Sequence, residues 1–224
     1  MNLHIRTGLL VAFIAVGLLP LAGLTWLTYE RTLAREFNEV EDRHLLLAEN
    51  LSSALSRYEK DVRTTVKTLS GALVQGRMAD NSNELLSTLG IQSVSVIDAV
   101  SGSTLFSTAD VTIDGDLLAL VQSHAKSARF EFTPVFRLPE ANNAIFLTAK
   151  MGDEIAVAQI NTNYFQELGK EISFGEKGHA AIVDQEGNIL SHPLDSWVQE
   201  AKNISAVSAV KRMINGETGV ERFY

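Results

Sequence analysis

The chain has 224 residues, 46% hydrophobic and 21% charged, with a formal net charge of −8 and no cysteine. That length suits one or two globular modules of roughly 100–200 residues each. The acidic balance argues against nucleic acid, which needs a clustered basic surface, and the lack of cysteine excludes disulfides, thiolate nucleophiles and thiolate-held zinc.

After a short head at 1–7, the stretch 8–29 (GLLVAFIAVGLLPLAGLTWLTY) carries no charge. About 20 apolar residues in a helix cross the roughly 30 Å hydrocarbon core of a bilayer. Trp26 and Tyr29 stand where an interfacial aromatic pair belongs, and Pro20 is tolerated in such a helix. A cleaved signal peptide would have a shorter apolar region, about 7–15 residues, followed by a small-x-small cleavage site. Charged sequence follows directly here, so 8–29 reads as an uncleaved transmembrane helix. Arg6 before it and Arg31 and Arg35 after it leave the orientation open.

Residues 30–75 contain no proline, and their first glycine is Gly71. Leu33, Phe37 and Val40, then Leu47, Leu51, Leu55, Tyr58, Val62, Val66, Leu69 and Leu73 recur at spacings dominated by three and four, with His44 in the gap. This predicts one long amphipathic helix with a narrow apolar stripe, of the kind used in helix pairs, and so a dimerisation stalk. His44 reads as a packed or register-setting residue on that stripe.

Residues 76–90 break the helix and add a helical turn at 84–88. The alternation in IQSVSVID at 91–98 marks a half-buried strand, 99–102 a turn, and 104–106 the return strand. A short apolar-faced helix at 117–125 follows, then strands at 129–136, 144–150 and 154–161, with turns at 138–143 and 151–153. A helix at 164–172 closes a module spanning 76–172. One antiparallel sheet flanked by helices is an α+β arrangement.

A second hairpin lies in GHAAIVDQEGNILSHP at 178–193. Asp184 and Gly187 bound a tight turn between two apolar runs, as Asp98 and Gly102 do earlier. The likeness suggests two modules on one plan. Beyond it, 194–198 continues outward, 204–214 reads as a helix with Val207, Val210 and Ile214 on one face, and 220–224 begins a strand. The second module, 173–224, therefore reads as incomplete, with an unpaired sheet edge.

This order of elements resembles the double Cache sensor domains of bacterial chemoreceptors, sensor kinases and cyclic-dinucleotide enzymes. GEKGHAAIVDQEGNILSHP at 175–193 and IAVAQINTNYFQEL at 155–168 carry the likeness. The resemblance implies PAS-like Cache modules, a membrane-distal one at 76–172 and the start of a membrane-proximal one after it. It also implies that residues 30–224 lie outside the cytoplasmic membrane of a bacterium, that a small molecule binds the distal module, and that the signal passes through the long helix, as a homodimer, to a cytoplasmic output module absent from this sequence. In relatives that bind amino acids, an Arg and aromatic residues on the helix before the third strand hold the carboxylate, and an Asp before the closing helix holds the amine. Here that helix reads Leu117-Leu118-Ala119-Leu120-Val121, and the Asp position corresponds to Gln159. An α-amino acid is therefore disfavoured.

Pocket walls are expected from the later strands: Phe130, Phe132, Arg137, Phe146, Thr148, Lys150 and Gln159. Arg137 or Lys150 would suit a carboxylate. His179, His192 and Asp184 match no metal-ligand spacing and read as hairpin residues. There is no nucleophile elbow, P-loop or zinc-protease helix, and no cofactor is implied. The expectation is a non-enzymatic sensor. The alternative is a structural stalk whose head binds a periplasmic protein.

Overall fold

The computed structural model describes residues 2–77, 82–109, 111–138, 143–171, 173–174 and 178–219, with the side chains at 2–5, 30, 31, 33, 34, 37, 38, 173, 174, 178 and 179 left aside. Parts of the expected loops at 80–81 and 139–142, residues 175–177 and the strand at 220–224 lie outside the described residues, as do the side chains of Leu33, Phe37 and His179.

Two compact units result, Met1–Ala48 and Glu49–Tyr224. Helix α1, Asn2–Val74, runs through both and contains Pro20. In the first unit, Arg6–Tyr29 is long and apolar enough to cross a membrane, with a mean hydropathy of 2.2. Its apolar side chains are bare: Phe13 is 85% and Trp26 71% exposed, which a bilayer would cover. Thr25 and Thr28 donate their hydroxyls to the carbonyls of Leu21 and Leu24, at 2.8 and 2.7 Å, so neither is left polar toward lipid.

The second unit is built on one antiparallel sheet. Its strands are β1 (Ile91–Asp98), β2 (Thr104–Ser107), β3 (Glu131–Phe132), β4 (Phe136–Arg137), β5 (Asn143–Met151) and β6 (Glu154–Asn161), in the order β2-β1-β6-β5-β3 with β4 also on β5. The mixed α+β arrangement is as expected, but β1 is buried on both faces, because helices cover both sides. On one face Ile145, Leu147, Ala149, Ala156, Ala158 and Ile160 meet Tyr58, Val62, Val66, Leu69 and Leu73 of α1. On the other, Phe146, Ile155, Val157 and Ile97 meet Leu117 and Val121 of α3, Gly115–His124.

The lower half of the predicted seam is thus used inside the chain's own core. Burying a Val or Leu contributes about 1.5–3 kcal/mol each, so α1 from Tyr58 onward belongs to the fold and is not a separable stalk. The row left over is thinner: Val40 is 51% exposed, and Leu51 and Leu55 are only partly covered.

The strand predicted at 129–136 is broken at Thr133-Pro134-Val135. Proline brings no N–H to the ladder. Thr133 bridges the gap by donating its N–H to Phe146 O at 2.8 Å while its hydroxyl accepts from Phe146 N at 3.0 Å. Helix α2 (Ser82–Thr88) precedes β1, and α4 (Asn163–Glu171) follows β6.

Next come β7 (Ser173–Phe174) paired with β8 (Gly178–His179), and β9 (Ile182–Val183) paired with β10 (Ile189–Ser191). The Asp184 turn forms as expected, with Gly187 at φ +86, a conformation open to glycine but costly elsewhere. Ile182 and Leu190, however, sit in the same core as α1 and the sheet. The expected boundary at 172/173 is therefore not a boundary in packing. Helix α4 and β10 approach so closely that a Cβ on Gly169 would stand 2.0 Å from the side-chain Oγ of Ser191. The stretch expected to run outward at 194–198 is instead α5, Asp195–Gln199. The last helix, α6, is shortened to Ser208–Ile214 by an Asn203 turn, whose side-chain oxygen accepts from the N–H and hydroxyl of Ser205.

Candidate functional site

A polar cleft of about 540 Å³ opens where β1, β5 and β6 end beside α4 and α5. The sheet contributes Gln92, Asn143 and Asn161, the start of α4 contributes Thr162, Asn163 and Gln166, and α5 contributes Asp195, Val198 and Gln199. The ladder explains the convergence. Ala144 pairs with Asn161, so the first residue of β5 and the last of β6 reach the same end. Gln92 joins them because β1 bulges between Ile91 and Ser93, and a bulge re-aims a side chain.

Internal hydrogen bonds orient the amides. Asn143 Nδ2 donates to Val198 O and, at 3.5 Å, to Gln199 O. Arg137 Nη2 donates to Gln199 O at 3.3 Å. Gln159 Nε2 donates to Gln92 Oε1, Asn163 N to Asn161 Oδ1 at 3.2 Å, and Gln166 Nε2 to Thr162 Oγ1 at 3.3 Å. Asn143 Oδ1 is shielded from water and has no hydrogen-bond partner. Of the nine lining residues only Asp195 carries a formal charge.

The seven sequence-derived wall residues do not converge. Arg137 and Gln159 border the polar cleft through their bonds to Gln199 and Gln92. Phe146 is wholly buried on the α3 face, edge-on to Phe136 at 6.3 Å, and Thr148 is equally buried with its hydroxyl unpaired. Lys150 is exposed. Phe130 and Phe132 belong to the opposite face and line a second cleft of about 950 Å³ between α1, β3 and the Asp184 hairpin. There Arg63 stands over the Phe132 ring at 5.7 Å and pairs with Glu59. The carboxamides of the polar cleft went unread because Asn and Gln near strand and helix ends look like ordinary caps. Only the convergence of four distant segments marks them.

Several other groups take structural roles. Asp184 accepts from its own turn and, at 2.9 Å, from Val135 N across the strand break, while Gln185 Nε2 donates to Phe132 O at 2.7 Å. His192 stacks on Trp197 at 4.6 Å and accepts from Leu194 N at 3.0 Å. Where α1 meets α4, Tyr58 stacks on Tyr164 at 3.9 Å and donates to Leu89 O at 2.8 Å. Burial, and secondarily the neighbouring Tyr164, push its phenol pKa well above the usual value. Asp98 is held below the usual carboxylate range by the Ser101 N–H and hydroxyl and the Val100 N–H.

No protein-family model matches this chain, and no curated protein matches it. Among solved structures it is similar to the ligand-binding domain of the Campylobacter jejuni chemoreceptor Tlp3 in complex with 4-methylisoleucine, at 11% identity and TM-score 0.52 over 78% of each chain. It is also similar to the ligand-binding domain of Mlp24 with asparagine, at 10% identity and TM-score 0.51, again over 78% of each. The ligand-binding domain of the Pseudomonas aeruginosa PAO1 amino acid chemoreceptor PctC in complex with GABA shares 21% identity, at TM-score 0.48 over 77% of this chain and 80% of that one. The chain has the fold of chemoreceptor ligand-binding domains, the fold that the double Cache resemblance implied.

Proposed function

We propose that this chain is the sensing part of a membrane-anchored receptor that binds a small molecule in the polar cleft at the end of the sheet. In this reading the helix at Arg6–Tyr29 sits in a bacterial cytoplasmic membrane and residues 30–224 lie outside the cytoplasm. The carrying observation is the cleft itself: side chains from the sheet, α4 and α5 converge on a space of a size typical for ligands. Arg137 and Gln159 form its margin, while Phe130, Phe132 and Phe146 serve the cores. The fold shared with chemoreceptor ligand-binding domains supports the reading.

Transmission follows from packing. The row from Tyr58 to Leu73 of α1 rests on the back of the sheet whose end forms the cleft. A ligand that binds one arrangement of the cleft better shifts that equilibrium by its differential affinity, and α1 would carry the shift to an output module. Pairing of two copies would use the thinner apolar row around Val40 and Leu51. Gln159 remains neutral where an amine-binding relative has a carboxylate, so an α-amino acid is a poor fit.

The test is thermal unfolding of the full chain in nanodiscs, in a Trp26→Phe background so that fluorescence reports Trp197, against a library of small metabolites. A ligand at 100 times its Kd stabilises by about 2.7 kcal/mol, or about 5–10 °C for a unit of this size. A hit whose effect vanishes in Asn143→Leu supports the reading. A library without hits, or hits untouched by that substitution, sinks it.

A further inference from the structure

Resting on the assignment of the polar cleft as the ligand site, we infer that its ligand is an uncharged, hydroxyl-rich molecule, a monosaccharide or other polyol, and not a carboxylate or an amine. Six of the nine lining residues are carboxamides: Gln92, Asn143, Asn161, Asn163, Gln166 and Gln199. A carboxamide offers both a donor and an acceptor, so what matters is which half the protein uses itself.

Four of them already meet a protein partner with one half, and for Asn143 and Asn161 that partner fixes the orientation, carbonyl oxygens in one case and a backbone N–H in the other. Gln92 and Asn161 spend their oxygens, on Gln159 Nε2 and Asn163 N, and keep their NH₂ groups for a ligand. Asn143 and Gln166 spend their nitrogens, on the α5 carbonyls and Thr162 Oγ1, and keep their oxygens. Because Asn143 Nδ2 meets carbonyl oxygens, its amide orientation is settled by chemistry. Its unpartnered Oδ1 is the group with most to gain from a donor. Asn143 and Asn161 thus give the cleft a fixed acceptor and a fixed donor, while Gln92, facing another carboxamide, and Gln166, facing a hydroxyl, can turn either half toward a ligand.

A carboxylate only accepts, so it would leave Asn143 Oδ1 unmatched. It would also lack a lining cation to offset its desolvation, and Asp195 would repel it. The one nearby guanidinium, Arg137, is not among the lining residues and turns an N–H to Gln199 O. An ammonium only donates, so it would leave the Asn161 NH₂ unmatched, with the exposed Asp195 as its sole counter-charge. A hydroxyl both donates and accepts. A ring carrying several of them satisfies all four groups.

The experiment is calorimetric titration of the full chain in nanodiscs with D-glucose, D-galactose, D-ribose and mannitol, beside acetate, succinate and putrescine. Asn161→Asp and Gln92→Glu each keep the oxygen that bonds inside the protein and remove the NH₂ left for a ligand, so both should melt as the parent does without ligand. The expected result is saturable binding of at least one polyol, weakened tenfold or more by either substitution, with acids and putrescine silent. Binding of an acid or of putrescine, weakened by the same substitutions, overturns the polyol assignment and leaves the cleft standing as the site. Polyol binding indifferent to both substitutions overturns the cleft as well, and so does silence from every probe.

Discussion

Asp184→Ala separates two hairpins that look alike in sequence. Asp184 accepts four hydrogen bonds, from the N–H groups of Val135, Glu186 and Asn188, each at 2.9 Å, and from Asn188 Nδ2 at 2.8 Å. Three are local, but Val135 lies 49 residues away on the broken strand, where the contact is partly buried. Hydrogen bonds to a charged group contribute about 1.5–3 kcal/mol where shielded and less where exposed, and an orphaned buried N–H costs about 1–3 kcal/mol. The substitution should therefore cost about 3–5 kcal/mol in total, near the top of the range for point changes. Asp98→Ala removes three contacts confined to one exposed turn and should cost far less. Urea unfolding of the full chain in nanodiscs, in a Trp26→Phe background, reads the difference. Trp197 then becomes the sole tryptophan, and its stacking on His192 makes it a reporter of this segment. If the two variants unfold within about 0.5 kcal/mol of each other, the spread of an ordinary surface change, the hairpin is not joined to the sheet and the reasoning fails.

Two further outcomes test the back of the sheet. Val62 is 0% exposed, so Val62→Ala should cost about 2 kcal/mol by lost burial and a residual cavity. A seam used only between copies would instead leave unfolding unchanged at low protein concentration, where monomers prevail. Tyr58 predicts an alkaline limb. Below the ordinary phenol pKa of about 10, both folded and unfolded chains keep the proton and its contribution is fully present. Above that value the unfolded chain releases its proton while buried Tyr58 holds on, so stability falls as pH rises toward the folded value. Tyr58→Phe should flatten that limb while costing about 1 kcal/mol at neutral pH for the lost bond to Leu89 O; an unchanged limb refutes the assignment.

Much of the fold was legible because local chemistry matched global structure. The apolar run at 8–29, the three-and-four spacing of α1, the alternation in β1 and both Asp-to-Gly turns each predict an element that is present. What failed is non-local. The stripe of α1 has the same period whether it faces a second helix or a sheet, so periodicity alone could not choose. Thr133-Pro134-Val135 looks like strand until the missing N–H of Pro134 meets a partner strand that needs it. The site was harder still. Phe130, just before β3, and Phe146, within β5, pack into opposite cores of the unit, and no pattern in 129–150 discloses that. The cleft amides come from positions 92, 143, 161 and 199, which no window brings together.

The segment from Ile182 to Gln199 meets the sheet at two points. At one end Asp184 and Gln185 hold the break between β3 and β4; at the other, Asn143 and Arg137 hold the last carbonyls of α5. Between these points β10 lies against α4 with no room for a Cβ at Gly169. Close-packed contacts of this kind shift between discrete arrangements more readily than they deform. A ligand that bonds Asn143 Oδ1 pulls on the same carboxamide whose Nδ2 holds α5, and the hairpin cannot absorb the change by compressing against α4. The displacement would then reach the strand break at Thr133, one hydrogen bond from Phe146 at the centre of β5. In the proposed receptor, the second hairpin is for this reason a working part of the ligand module and not merely the beginning of the next one.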